Sequence, residues 1–477
     1  MSRDLAMHRM ARELRSSPDP TDRRSVFFGS ILGTNAPALI PIELIKENVW
    51  MRGDTGSGKT AQMMMLMEQI ATIEPCTIHV FDLKGSPELF ATAKAIMPDI
   101  LQWFTDRVDC STHVFNVFQQ PLWEMFTPDQ KAANLVSAFD VDYGGSTVYG
   151  PGFFADNAHE CLAKLAEYHS VKNFIEVDER IDQLVRSKKI TAKVRDAGLH
   201  AQLVCRRFAR VQALNAKNSI DLLDGFSRPQ IVYWCLPVDL GFKTAANICR
   251  FATSMLLTAA NALSQAERKI PVYVFVDEFQ RALGLRAIKQ LEASRSKGVA
   301  SILAHQSTAQ LYELGKGTAE NMAACCRVHW TFAVGDTQEQ VDLSRQSGER
   351  HHDRISQSFA PGSLLGDRIT TTYTPIVSPA LEVNDIKAVS SRPKLSLLRC
   401  TKDDGHWLYR DRFVPVRAYF HIDREEYERR KNFPWPGPVP GCIVTNMPKP
   451  LAVEALPPGL FPPPQQGKRK PLHPPRG

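Results

Sequence analysis

Eight consecutive residues, Gly53, Asp54, Thr55, Gly56, Ser57, Gly58, Lys59 and Thr60, constrain this 477-residue chain more than any other stretch. The residues before them, 48–52 (NVWMR), are apolar enough for a buried strand, and residues 61–73 after them space Met63, Met64, Met67, Ile70 and Ile73 as one helix face. Strand, glycine-rich loop and helix in that order place G-x-x-x-x-G-K-[ST] in the context that gives it meaning. Backbone N–H groups can wrap a phosphate at a helix N-terminus only where the chain comes close, and glycine permits that approach. The pattern therefore predicts a nucleoside triphosphate cradle, with Lys59 reaching the β- and γ-phosphates and the Thr60 hydroxyl ligating Mg²⁺.

The rest of the composition is that of an ordinary globular protein, 43% hydrophobic and 23% charged, long enough for two or three domains. A net charge of +7 is mild, so composition alone does not indicate a nucleic-acid partner. The ten cysteines form no C-x-x-C pair and mostly fall inside apolar runs, which predicts buried free thiols and a reducing compartment. No secretory h-region opens the chain. The most apolar long window, residues 245–264, carries Asn247, Arg250 and Asn261 and reads as a buried helix rather than a membrane span, so a cytoplasmic location is expected.

Continuous apolar strands alternating with helices predict a doubly wound, mostly parallel sheet. Strands are expected at residues 76–83, 100–105, 113–118, 230–236, 272–276, 299–304 and 327–334, with a hairpin over residues 25–42 that packs beside the nucleotide. Alternation stops over residues 152–223, where three helical segments suggest an inserted all-α domain. The expected division is a polar segment 1–24, an α/β domain 25–151 plus 224–431, the insert 152–223, and a tail 432–477. Residues 349–358 read as loop and residues 407–420 as a terminal hairpin. The stretch 434–477 holds fourteen of the 32 prolines and cannot build a core.

Three further features carry chemistry. Residues 272–278 (VYVFVDE) form an apolar strand ending in Asp277, which would hold Mg²⁺, and Glu278, which would orient and deprotonate an attacking water. Gln306 follows the next strand, where an amide can position that water or sense the γ-phosphate. Between them, Arg295 could neutralise transition-state charge in a neighbouring subunit's site, or could simply end a solvated basic helix before Gly298. In the insert, residues 186–217 hold nine basic side chains, among them Lys188, Lys189, Lys193, Arg206, Arg207 and Arg210, against Asp196 alone. That local charge suits sequence-independent DNA contact, or a solvated helix face.

Taken together, GDTGSGKT, the FDLKG strand end, Phe115-Asn116, GPGFFADNA, VYVFVDEF, SRSKGVASILAHQSTAQL and the stretch from Cys326 to Gly348 resemble the TraD/TraG-type coupling-protein ATPases of conjugation and type IV secretion, within the FtsK/HerA translocase superfamily. The resemblance implies an α/β, RecA-like P-loop NTPase with a central mostly parallel sheet and an inserted all-α domain. It further implies ring hexamers, ATP and Mg²⁺ as ligands, and ATP-driven handling of DNA or protein. By position it makes Lys59 and Thr60 Walker A, Asp277 and Glu278 Walker B, Gln306 the sensor and Arg295 the trans-acting arginine. Such proteins usually begin with transmembrane helices, which this sequence lacks before its P-loop. A membrane or secretion-channel partner could supply that link, or the chain could be a soluble relative acting in DNA defence or maintenance. A nucleotide-gated receptor that docks cargo for a channel is the alternative to a DNA motor.

Overall fold

The computed structural model describes residues 3–139, 151–168, 170–187, 189–237, 241–282, 291, 294–312, 317–363, 366–392, 394–401, 412–418, 422–434 and 437. Thirteen strands occur among them: β1 (Ser25–Ile31), β2 (Pro37–Pro41), β3 (Val49–Arg52), β4 (Thr77–Asp82), β5 (Leu101–Phe104), β6 (Gln230–Cys235), β7 (Val272–Asp277), β8 (Val299–His305), β9 (Val328–Thr331), β10 (Glu349–Ser363), β11 (Gly366–Pro379), β12 (Leu395–Cys400) and β13 (Val414–Arg417). Eleven form one sheet in the order β2-β1-β13-β12-β9-β3-β8-β7-β4-β6-β5. From β9 to β5 the pairing is parallel, and from β2 to the junction of β12 with β9 it is antiparallel.

The parallel strands lack apolar alternation because both their faces are covered: β3, β4, β6, β7 and β8 are buried at every position. Met63, Met64, Met67 and Ile70 of the P-loop helix (Lys59–Ile73) join Val49, Met51, Ile78 and Val80 on one face. Trp50, Phe81, Val232 and Val274 point to the other face, into an apolar cluster that continues through the helices Pro128–Phe139, Pro151–Tyr168, Phe174–Arg186 and Ala192–Arg210. The helical block between β5 and β6 thus shares its core with the sheet. Phe242–Ala262, the long apolar window of the sequence, is a helix packed into this same cluster. Among the described residues no helix is long and apolar enough to cross a membrane. All nine described cysteines are buried free thiols.

Four sequence expectations are corrected. Residues 113–118 form no strand beyond a single bridge from Val114 to Ser219. Asn116 is the reason: its Oδ1 accepts from Phe118 N at 3.2 Å and turns the chain, while its Nδ2 donates to Lys172 O and Ala216 O, tying the helical block to the sheet. The β1–β2 hairpin forms, yet it lies beyond β9, β12 and β13 at the sheet edge. It meets the far half of the P-loop helix through Gln69, which exchanges hydrogen bonds with the Phe27 backbone, rather than lying beside the glycine loop. The expected terminal hairpin is instead β13 paired with β12, because Leu397 and Val416 both find a core there; residues 402–411 lie outside the described set.

The fourth correction is the largest. Residues 349–358 are the first half of a two-stranded ribbon, β10 with β11, running in register from Glu349 opposite Pro379 to Ala360 opposite Arg368. The ribbon pairs with no strand of the main sheet. Its root is fixed by Ala380 N donating to Gly348 O at 2.8 Å and Leu381 N to Ser347 Oγ at 2.9 Å. The proline-rich stretch lies outside the described residues from 438 onward.

Asn48 locks the start of the P-loop strand. It is fully buried in the left-handed region at φ 73°, donates from Nδ2 to Cys325 O at 3.0 Å and accepts from Ser301 N at 2.8 Å. Asn48→Ala removes both of these buried hydrogen bonds and strains the turn, so urea unfolding should show a loss of about 2–4 kcal/mol.

Candidate functional site

Parallel strands deliver their C-terminal ends to one edge of the sheet, and here β3, β8, β7 and β4 lie side by side. β3 opens directly into the glycine loop, and Gly58, at φ 99°, makes the left-handed N-cap from which the P-loop helix starts. That conformation aims the first free N–H groups of the helix outward, and the loop residues Asp54, Thr55 and Gly56 are exposed. Lys59 is buried and folds back, its Nζ donating to Gly53 O at 2.5 Å and Asp54 O at 3.0 Å. Burial lowers its pKa, with Asp277 and Glu278 opposing that shift.

The two halves of the nucleotide pattern meet. Thr60 Oγ1 donates to Asp277 Oδ2 at 3.0 Å, joining residues 217 positions apart. β4 ends beside β7 with Asp82 opposite Asp277. Asp82 is fully buried and accepts from the backbone N–H of Lys84, Gly85 and Ser86 and from Tyr233 OH. Burial, then the charges of Asp82 and Glu278, push the Asp277 carboxyl up to about 6, against the Thr60 hydrogen bond and Lys59. Buried carboxylates crowded this way favour a proton or a cation between them.

Glu278 sits at φ 56°, an uncommon conformation for a side chain of this size. The turn directs its carboxylate toward the end of β8. There Gln306 Nε2 donates to both carboxylate oxygens at 2.8 Å and Gln280 Nε2 to one at 2.5 Å, with Arg281 Nε 3.8 Å away. β8 lies between β3 and β7, so Gln306 and Glu278 project from adjacent strand ends.

The loop itself is pinned from β9. Asp54 N donates to Ala333 O at 2.7 Å, and Gly335 N donates to Asp54 Oδ2 at 2.7 Å. A Cβ on Gly335 would stand 2.9 Å from that oxygen, so the contact needs a glycine there. Behind the loop, Arg52 is buried against the Trp50 ring at 4.9 Å and donates to Thr331 Oγ1 at 2.8 Å. Burial lowers its pKa to about 10.

Two observations test whether a nucleotide phosphate and Mg²⁺ suit these residues. The Ser57 hydroxyl is buried with no hydrogen-bond partner, and a Cβ built on Gly56 or Gly58 meets nothing within 4 Å. The loop thus has open space at Gly56 and Gly58 and an orphaned donor at Ser57, both of which suit a phosphate, and the Thr60–Asp277 pair is the oxygen donor set a hard divalent cation prefers.

The remaining expected residues fall elsewhere. Arg295 precedes β8 and bonds Glu47 Oε2 at 3.4 Å, where Arg327 also binds at 3.0 Å. That is the N-terminal edge of the strands, roughly 20 Å from its own glycine loop across the length of β8. In the helical block Lys188 lies outside the described residues, while Lys189, Lys193, Arg206, Arg207 and Arg210 are all exposed. Acids stand near three of them: Arg206 pairs with Asp178 at 3.1 Å, and Arg207 and Arg210 share a surface recess with Asp106 and Asp109. The sequence reading missed Asp82, Gln280 and Gly335 as parts of the site. FDLKG and the Gly335-Asp336 pair were visible signals without an assigned role, whereas Gln280 had none, since an amide after an acidic turn looks like any loop residue.

The Asp277 shift has a pH signature. Its folded pKa of about 6 lies above the ordinary 3.8, so ionising it disfavours the nucleotide-free fold progressively from pH 3.8 to 6 and by about 3 kcal/mol above that window. Asp277→Asn should therefore stabilise the nucleotide-free protein at pH 7 and little at pH 4, read as urea midpoints across pH.

Comparison with known proteins places these features. Residues 271–390 match the family model described as the TraM recognition site of TraD and TraG. The bacterial conjugative coupling protein TrwBdeltaN70, unbound, superposes with a TM-score of 0.62 at 13% identity, over 88% of this chain and 92% of that one. TrwB in complex with ADP and Mg²⁺ gives 0.61 at 14% identity, over 86% and 91%. VirB4 of Thermoanaerobacter pseudethanolicus gives 0.51 at 10% identity, over 84% and 97%. No curated protein sequence matches. The fold is the expected α/β, RecA-like P-loop arrangement around a mostly parallel sheet. The chain thus has the fold of TrwB, and its residues 271–390 match a module described for TraD and TraG.

Proposed function

We propose that the chain is an Mg²⁺-dependent ATPase that works as a ring and couples ATP hydrolysis to the movement of DNA. The observation that carries this reading is the convergence of Thr60–Asp277 and Glu278–Gln306 on adjacent strand ends at the mouth of a glycine loop. TrwB, of the same fold, has been solved with ADP and Mg²⁺ and with non-hydrolysable ATP and GTP analogues.

In this mechanism the loop N–H groups and Ser57 hold the phosphates, and Lys59 leaves the loop carbonyls for the phosphate oxygens. Thr60 and Asp277 would hold Mg²⁺, which when bound would supply positive charge against the phosphates. Glu278 accepts the proton of the attacking water, and Gln306 keeps its carboxylate aimed and reports whether a γ-phosphate is present. Arg295, too far to serve its own loop, acts in the site of a neighbouring copy, which makes hydrolysis depend on assembly. Lys189 and Lys193, with Arg206, Arg207 and Arg210 further along, are the proposed DNA contacts. A membrane or channel protein would bring the complex to its place of work. The description of the matched module as a recognition site favours a second reading, a nucleotide-gated receptor that docks a partner protein.

ATP turnover measured across protein concentration, with and without DNA, tests the proposal. Lys59→Ala should lose nucleotide binding. Glu278→Gln should bind normally and hydrolyse about 10²-fold or more slowly, and normal hydrolysis would remove Glu278 as the base. Arg295→Ala should be as inactive as Glu278→Gln, yet a mixture of the two variants should regain turnover, because an intact Glu278 and an intact Arg295 then meet across some interfaces. No recovery on mixing would place Arg295 outside the site. Turnover that DNA does not raise, with partner binding intact, would favour the receptor.

A further inference from the structure

The β10–β11 ribbon has two unlike faces. Alternate residues of a strand share a face with their cross-strand partners, so Glu349, His351, Asp353 and Ile355 lie with Val377 and Tyr373. Ile355, Tyr373 and Val377 are 59, 63 and 54% exposed, three large apolar side chains on one projecting surface. Arg350, His352 and Arg354 occupy the opposite face with Ile376 and a row of hydroxyls. An isolated two-stranded ribbon is marginal in water, and a soluble chain that leaves such a face open holds it for a contact.

A second apolar patch lies on the helix Ala192–Arg210. Leu199 and Leu203, one turn apart, are 45 and 56% exposed and are followed on the same side by Arg206, Arg207 and Arg210. The two patches complement each other: leucines edged with arginine, against isoleucine, tyrosine and valine edged with Glu349 and Asp353. Their places in the fold also match. The ribbon follows β9, on one side of the parallel set, and the helix belongs to the block between β5 and β6, on the other. Unlike patches from different parts of one chain, meeting between copies, make a head-to-tail contact, the kind that closes into rings.

We infer that the Ile355–Tyr373–Val377 face of the ribbon docks on the Leu199–Leu203 stripe of the next copy of this chain. Arg207 and Arg210 are then subunit contacts facing Glu349 and Asp353, and the DNA contact proposed above narrows to Lys189 and Lys193. The inference rests on the ring reading for its geometry but names a surface that reading does not.

Cross-linking of the full chain tests it. With Cys442 replaced by serine, the other nine cysteines are buried, so introduced surface thiols react selectively. Tyr373→Cys and Leu203→Cys are made separately, mixed with a slowly hydrolysed ATP analogue and treated with a short bis-maleimide. The mixture should yield covalent dimer and neither variant alone should. Dimer from Tyr373→Cys alone would mean a symmetric contact and overturn the proposal. Oligomer by light scattering without the mixed cross-link would overturn it while leaving the ring standing, and absence of any oligomer would overturn both. Independently, the triple change Ile355→Ser, Tyr373→Ser, Val377→Ser, all on exposed positions, should raise the concentration needed for assembly on the order of a hundredfold with nucleotide binding unchanged. Assembly at the same concentration with DNA or vesicle binding lost would assign the ribbon to that surface instead and overturn the inference.

Discussion

Negative charge held out of water at the end of a parallel sheet is the constraint on which this architecture turns. Asp82, Asp277 and Glu278 are each no more than 5% exposed, and no described basic side chain pairs with Asp277 at salt-bridge distance. The fold meets their demands unequally. Asp82 is fully satisfied by a turn and a tyrosine, and Glu278 is held by two amides, while Asp277 has one hydroxyl, the Glu278 backbone N–H and a raised pKa. The cost of burial is thus concentrated on one carboxylate, at the position where a divalent cation would relieve it. A protein selected only for stability would have replaced that group.

How much of this was legible follows from the same physics. β3 with its loop and helix, and β7 with its two acids, are contiguous in sequence and buried on both sides, so residues 48–60 and 272–278 carried their own signal. Gln306 was reached through the order of strands and the family resemblance, since its role depends on β8 lying between β3 and β7. The ribbon was not legible because a strand exposed on both faces shows no contrast between buried and solvated positions; the Arg350-His351-His352-Asp353-Arg354 run looks like loop. The failure at residues 113–118 was of another kind. The segment has strand composition, and one amide, Asn116, turns it by bonding to its own backbone and to residues 56 and 100 positions away, which no local window contains.

The route from the glycine loop to the ribbon is short and made mostly of hydrogen bonds between polar side chains and backbone. Asp54 bonds both Ala333 and Gly335, Asp336 caps the helix Thr337–Gln346 by accepting from Glu339 N at 2.8 Å, and Ser344 and Ser347 at the end of that helix hold Leu381 at the ribbon root. Val334 and Leu343 belong to a small apolar cluster of their own with Ile386, Val389, Leu395 and Leu397, apart from the two large clusters flanking the sheet. Leu395 and Leu397 lie on β12, so the helix rests, clamped at both ends, on a small core that it shares with the antiparallel side of the sheet.

A rigid connection of this kind carries information in both directions, because linkage is reciprocal. If filling the loop repositions Asp54, the helix and the ribbon root follow. By the same coupling, a copy that seats the ribbon favours one position of Asp54, and so one state of the loop. The exposed ribbon and the half-satisfied carboxylate then belong to one device. Each is locally unfavourable, and on the proposed reading each would be relieved by something outside the chain, a second copy in one case and a cation with its nucleotide in the other. The ten-residue helix Thr337–Gln346, with the contacts at its two ends, lies between the glycine loop and the ribbon root, short enough that relieving one can bias the other.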